Sequence, residues 1–316
     1  MKIRFLGTGT SVGVPQIGCR CPVCTSSDPR DRRRRTGIHV STEKSAFLVD
    51  TPVELREACI EYGITKVDAV VFTHAHMDHV AAFDDVRRFN TLNGEKVPCE
   101  PDEPGANGRT FRIIGRPMNC YASPETIESM RHIFPYITGK ANPHGLFRPM
   151  IEFVPVIAPF SIGDVRLTPF EVPHDGTDNV GYFIEVGDTK FCIATDLGCI
   201  TDTVSFYLEQ AHHLVIEANY EEEMLRMGRY PQFLKDRVAG MTGHLSNQTT
   251  ARYLAQNMNE HLKNIWLCHL SEENNHPELA YKAVEMEFAQ YGIIAGKDVK
   301  LHVLKRATPS QMFVLE

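Results

Sequence analysis

Residues 73 to 80 read THAHMDHV. His74, His76, Asp78 and His79 follow directly on the apolar run AVVFTH (69–74). Positions two apart on an extended chain share a face, so His74 and His76 can reach one ion. The turn that follows can aim Asp78 and His79 at a second ion beside it. Imidazole and carboxylate together suit zinc, manganese or iron. Two such ions about 3.5–4 Å apart can ionise water at neutral pH and screen charge on a phosphoryl group or polarise a carbonyl.

A second cluster lies nearer the N-terminus. GCRCPVC (18–24) places Cys19, Cys21 and Cys24 in a C-x-C-x2-C spacing. Thiolates this close suit a tetrahedral structural zinc that takes one more ligand from elsewhere. A redox role for C-x-x-C needs a thioredoxin-like context that this chain lacks. The basic run RDRRRR (30–35) can match phosphate geometry, but most of it is expected to be structural or solvated.

These side chains need a scaffold. Strands are expected at 2–7, 45–50, 69–74, 164–170, 180–186, 189–195, 213–218, 264–268 and 298–303, from short apolar runs bounded by turn residues. Helical periodicity marks 53–62, 79–90, 124–133, 202–211, 247–261 and 277–291. VGYFIEVGDTKFCIAT reads as a hairpin turning at Gly187–Asp188. Alternating strands and helices with hairpins imply a mixed α/β protein with layered sheets. No linker divides residues 1–316, so one domain is expected. Its least regular part, 93–120, reads as a surface insertion.

The chain has 316 residues, a net charge of −7 and a 23% charged share. That balance suits a globular enzyme, and any polyanion contact must use a local basic patch. No apolar run is long enough to span a membrane, and MKIRFLGTGT lacks a signal-peptide core. The default expectation is cytoplasmic, with clustered cysteines binding metal rather than forming disulfides.

HAHMDH resembles the H-x-H-x-D-H signature of the metallo-β-lactamase superfamily, and further motifs follow in order. Asp50 ends FLVD, His174 lies in VPHDG, Asp196 in IATDLG and His269 in LCHLS. The resemblance implies a four-layer αββα sandwich with its metals at one edge. It implies that His74, His76, His174 and Asp196 hold one divalent ion, zinc or manganese. Asp78, His79, Asp196 and His269 would hold the other. Asp50 would orient a ligand histidine, and Asp78 or Asp196 would manage a proton. His76 stands where oxygen-reducing relatives carry glutamate, and true β-lactamases lack the pairing of Asp78 with Asp196.

His244 in MTGHLSN resembles the extra histidine of the superfamily's phosphodiesterases and nucleases, which assists the leaving oxygen. LGTGTSVGVPQIGCRCPVCTSSDPRDRRRRTG, FDDVRRFN and YASPETIESMRHIFPYI are similar to the phosphoribosyl cyclic phosphodiesterases of PhnP type. IATDLGCITD, EANYEEEMLRMGRYP, GHLSN and LCHLSEENNHPELA are similar to WalJ/YycJ-type exonucleases. In the cyclic phosphodiesterases the cysteine trio joins a histidine soon after the last metal histidine. Here Glu272 stands at that spacing, so His276 is the expected substitute, with His39 and Cys120 as others. Asn219, Tyr220, Arg226 and Arg229 are expected substrate contacts.

The expected activity is hydrolysis of a small cyclic or nucleotide-like phosphodiester by a hydroxide shared between two ions. A DNA or RNA exonuclease is the alternative, and a lactone or thioester hydrolase ranks third. Nucleic acid is admitted as a partner, a membrane is not, and a homodimer is compatible with the sequence.

Overall fold

A computed structural model describes residues 1–28, 32–103, 106–138, 151–176, 178–304 and 310–316. Arg30 and Asp31 of the basic run lie outside these residues, as does part of the 93–120 segment. In chain order the first half forms β1 (Lys2–Gly7), β2 (Gly37–Ser41), β3 (Ala46–Val49), α1 (Leu55–Tyr62), β4 (Ala69–Val71), α2 (Met77–Val80), α3 (Arg87–Leu92), β5 (Glu95–Pro98), β6 (Phe111–Ile114), β7 (Met118–Ala122), α4 (Pro124–Ile133), α5 (Pro135–Thr138) and β8 (Ile151–Pro155). The second half forms β9 (Phe160–Ile162), β10 (Val165–Glu171), β11 (Val180–Val186), β12 (Thr189–Ala194), α6 (Asp202–Leu208), β13 (His213–Glu217), α7 (Glu222–Met227), α8 (Gln232–Val238), α9 (Asn247–Asn257), β14 (Asn264–Cys268), α10 (Pro277–Gln290), β15 (Lys300–Val303) and β16 (Phe313–Val314).

Two seven-stranded sheets result, ordered β16-β1-β2-β3-β4-β7-β8 and β15-β14-β13-β12-β11-β10-β9. They face each other across a core of Phe5, Val40, Phe47, Val49, Ile184, Phe191, Val215 and Trp266. Strand periodicity explains the outer layers. In β3, Phe47 and Val49 enter this central core while Leu48 turns outward to pack with Leu55 of α1 and Ile127 of α4. On the other side, Leu254 of α9 and Val284 of α10 cover the outer face of the second sheet. The order is helix, sheet, sheet, helix, the αββα sandwich that the resemblance implied.

The strand register positions the site. β12, β13 and β14 run parallel, with Ile216 opposite Ala194 and Glu217 opposite Cys268. Residues just past these strands therefore emerge along one edge. β3 and β4 are also parallel, with Val49 opposite Val71, which brings Asp50 beside Thr73.

Several local expectations change. The helix expected over 79–90 is broken into α2, a 3-10 turn (Phe83–Val86) and α3. The 93–120 segment contains a two-stranded sheet, β5 with β6, that pairs with neither large sheet. Arg226 lies in α7 and Arg229 between α7 and α8, two short helices absent from the expected set. In the basic run, Arg33 is buried and its Nη1 donates to Leu270 O at 2.6 Å, while Arg34 pairs with Glu61 and Arg35 with Glu54. Those three arginines are structural.

Candidate metal centre

At the shared edge, His74, His76 and His174 place their nitrogens within 4.8 Å of one another. Asp78, His79 and His269 form a second such group, and His74, His79 and Asp196 a third. Asp196 joins them. Its Oδ1 lies 3.7 Å from His174 Nε2 and 3.3 Å from His269 Nε2, and its Oδ2 lies 3.4 Å from His79 Nε2. The seven residues expected to bind two ions thus converge from both sheets.

The backbone is held in an unusual form at three of the strand ends. Asp50, Asp196 and His269 have φ of 63°, 54° and 56°, a left-handed region that non-glycine residues visit seldom and that clusters at functional sites. Gly198 serves the same edge. A Cβ there would lie 2.4 Å from Met241 O and 2.7 Å from Gly243 N, so glycine lets the loop before His244 close on the Asp196 turn.

Four of the ligand histidines, and His244 beside them, are oriented through the far nitrogen. His79 Nδ1 donates to Asp50 Oδ2 at 2.8 Å, and Asp50 also accepts from Thr73 N and Thr73 Oγ1. His74 Nδ1 bonds Thr73 Oγ1 at 3.0 Å, and His174 Nδ1 donates to Gly243 O at 3.0 Å. His269 Nδ1 and His244 Nδ1 both donate to Glu217 Oε1, at 2.6 and 2.8 Å. Partners of this kind fix the ring and leave Nε2 for a metal.

The donor set fits divalent ions. His74 Nε2, His79 Nε2, His269 Nε2 and Asp196 Oδ2 are buried and have no hydrogen-bond partner, and such atoms demand an explanation such as an ion. The electrostatics agree. Burial and the neighbouring imidazoles of His79, His76 and His174 hold His74 well below its ordinary range, so it is a neutral donor. Burial opposes charge on His79, yet Asp196, Asp50 and Asp78 hold its proton affinity well above normal. His269, against the same burial, is pushed up to about 10 by the carboxylates of Asp196, Asp78 and Glu217. A field that attracts protons this strongly attracts metal cations for the same reason.

Glu217, Asp175 and Arg237 were not picked out from the sequence. Glu217 is fully buried, and although burial opposes its charge, His244 and His269 hold its carboxyl well below the usual range. Its Oε2 also accepts from Leu197 N at 2.8 Å, so one side chain ties together the Asp196 turn, His244 and His269. The available signal was a carboxylate ending the apolar run HLVIE, as Asp50 ends FLVD. Asp175 lies 3.4 Å from His174 Nε2 and accepts Arg237 Nε at 2.5 Å.

Other expected contacts lie elsewhere. Asn219 is buried and donates from Nδ2 to His269 O at 2.9 Å, bracing the ligand loop rather than facing substrate. Tyr220 is buried, and its carbonyl accepts from Asn247 N. Arg226 is bonded along its own helix to Glu223. Arg229 lines a cavity with Cys19, Cys21, Cys24, Glu272 and Glu273.

The three cysteine sulfurs lie within 4.8 Å of one another. Gln16 N donates to Cys24 Sγ and Cys24 N to Cys21 Sγ. His276 is not part of this group. It is exposed and caps α10, its Nδ1 accepting from Glu278 N at 3.2 Å, because Pro277 starts a helix whose first amides need an acceptor. His39 and Cys120 are buried in strands of the first sheet.

A family model described as the beta-lactamase superfamily domain matches residues 46–263. Exodeoxyribonuclease YycJ of Bacillus anthracis is 27% identical over 280 residues, covering 87% of this chain and 93% of that protein. Exodeoxyribonuclease WalJ of Streptococcus pneumoniae serotype 2 (strain D39 / NCTC 7466) is 28% identical over 270 residues, covering 84% and 88%. Among solved structures, a diphosphatase from the PhnP family aligns with a TM-score of 0.65 at 25% identity, covering 95% of this chain and 93% of that one.

Proposed function

The chain belongs to the β-lactamase superfamily and is a metal-dependent hydrolase, and from that premise we propose that it cleaves phosphodiester bonds in DNA. The observation that carries this reading is His244. Its ring centroid stands 5.0 Å from that of His174 and 5.2 Å from that of His269, beside a complete set of candidate ligands. An additional imidazole at this face suits a phosphoryl oxygen or a departing alkoxide. Exodeoxyribonuclease relatives spanning nearly the whole chain favour DNA over the small cyclic phosphodiester expected first. That small substrate remains the second reading, supported by the likeness to a PhnP-family diphosphatase.

His74, His76, His174 and Asp196 would hold one ion, and Asp78, His79, Asp196 and His269 the other. Two divalent ions there, zinc or manganese, would supply a water ionised at neutral pH and would screen charge developing on phosphorus. The chain's own residues do the rest. Asp50 and Glu217 keep the His79 and His269 rings turned so that Nε2 faces the centre. Asp78, whose Oδ2 lies 3.5 Å from His79 Nε2, or Asp196 would take the proton of the attacking water. With Nδ1 held by Glu217, His244 presents Nε2, and in its protonated form that nitrogen gives its proton to the leaving oxygen.

We also assign a structural zinc to Cys19, Cys21 and Cys24, apart from catalysis. Carboxylates of Glu272 and Glu273 line the same cavity and are the candidates for its fourth ligand. Residues 1–316 are read as one hydrolase domain, with 93–120 as its insertion.

Metal-loaded protein assayed on an end-labelled DNA strand, a cyclic phosphodiester and a lactone separates the readings. DNA hydrolysis is expected. Lactone turnover without phosphodiester cleavage would refute the proposal.

A further inference from the structure

Helix α8 (Gln232–Val238) has no fully buried side chain, with Leu234, Lys235 and Val238 half-buried. A helix in a layered fold normally turns an apolar stripe inward, so α8 contributes little to the core. It nevertheless borders the candidate ligand cluster. The segment that follows it supplies Gly243 O to His174 and carries His244 into the site. From α8 itself, Arg237 reaches Asp175, with both Nε and Nη2 2.5 Å from Oδ2. The other oxygen of Asp175 faces His174 Nε2 at 3.4 Å and His76 Nε2 at 3.8 Å. One carboxylate therefore separates this guanidinium from the candidate ligand cluster.

Building on the nuclease reading, we propose that α8 guides a single DNA strand, with Arg237 gripping a phosphate beside the scissile one and Phe233 stacking a base. A guanidinium offers five N–H donors. Asp175 occupies two, which leaves donors for a phosphate while keeping the group aimed at the site. Phe233 precedes Arg237 by four positions and so lies on the same helix face. Phe233 is 73% exposed, so its ring face is open to a base. An aromatic platform next to an arginine is the standard means of holding a single strand without reading its sequence. Net charge supports a local clamp. At −7 the whole molecule repels DNA, so attraction has to come from individually placed cations.

The test is fluorescence anisotropy of metal-loaded protein with a labelled, hydrolysis-resistant phosphorothioate oligothymidylate. Phe233→Ala is expected to raise Kd about tenfold at unchanged metal content and Tm, and Phe233→Trp to restore it. Arg237→Gln should reduce the slope of log Kd against log salt by about one contact, roughly 0.7 units for a single strand. Arg237→Lys should keep the slope. If the wild-type protein cleaves DNA but Phe233→Ala and Arg237→Gln both match its Kd and slope, the α8 proposal fails and the nuclease reading stands. If the wild-type protein neither binds nor cleaves the strand, both fail.

Discussion

The two sheets contribute to the candidate metal centre in different ways. The first delivers His74, His76, Asp78 and His79 from one contiguous segment, the loop after β4 and α2, with Asp50 behind them at the end of β3. The second delivers His174, Asp196, Glu217 and His269 singly, each from the end of a different strand. A contiguous loop needs only local geometry. Scattered residues need the parallel register of β12, β13 and β14 to bring their ends to one edge. The second half therefore depends on long-range folding, and Glu217 and Asp196 are where that dependence is concentrated.

Replacing Asp196 should have the largest effect, since its carboxylate is within reach of histidines from both sheets. Asp196→Ala is expected to lose turnover by more than the roughly 10⁴-fold that one acid–base group supplies. A loss no larger than that of His244→Ala would mean that the sheets act independently. His244→Ala comes next, with kcat falling about 10²–10³-fold while both ions stay bound. Unchanged turnover would remove its assigned role.

Glu217→Gln and Asp50→Asn compare the sheets directly. Each removes the charged partner of a histidine, a change that typically costs about 10–100-fold. Glu217 holds His244 as well as His269, whereas Asp50 holds one histidine. Steady-state kinetics should therefore place Glu217→Gln below Asp50→Asn. The reverse order would show that the contiguous loop is the more fragile half.

The smallest effect concerns stability. His39 in β2 is pulled down to about 4 by burial and by Arg4, and His213 in β13 is pulled down to about 4 by burial. The unfolded chain takes up these protons as pH falls through about 6.5, and the folded chain resists until about 4. Each histidine therefore removes stability across that window, on the order of 3 kcal/mol. Melting curves of His39→Leu should decline less steeply between pH 7 and 4 than those of the wild type, because the share of His39 is lost. An identical pH profile would contradict a buried neutral imidazole at position 39.

The same asymmetry explains what could be read from the sequence. THAHMDHV announces itself because four candidate ligands, three histidines and an aspartate, share one short stretch. His174, Asp196 and His269 are ordinary single residues whose meaning came from their order and the family resemblance. Glu217 escaped because an isolated carboxylate at a strand end has no local signature, and its role appears only when His244 and His269 meet over it. His276 misled for the opposite reason. Its position in the chain suggested a zinc ligand, but the amides opening α10 claim its Nδ1. Arg226 and Arg229 stood in a conspicuous motif, whereas Arg237, with no motif, is the arginine that reaches Asp175.

The central claim is that ligands from both sheets jointly hold two ions, with a third at the cysteines. Elemental analysis of purified wild-type, Asp196→Ala and Cys21→Ser proteins tests it most directly. The account predicts three divalent ions per wild-type chain. Cys21→Ser should lose one and keep the catalytic pair, and Asp196→Ala should lose at least one of that pair while keeping the cysteine-bound ion. An Asp196→Ala protein with its full metal content would contradict the claim.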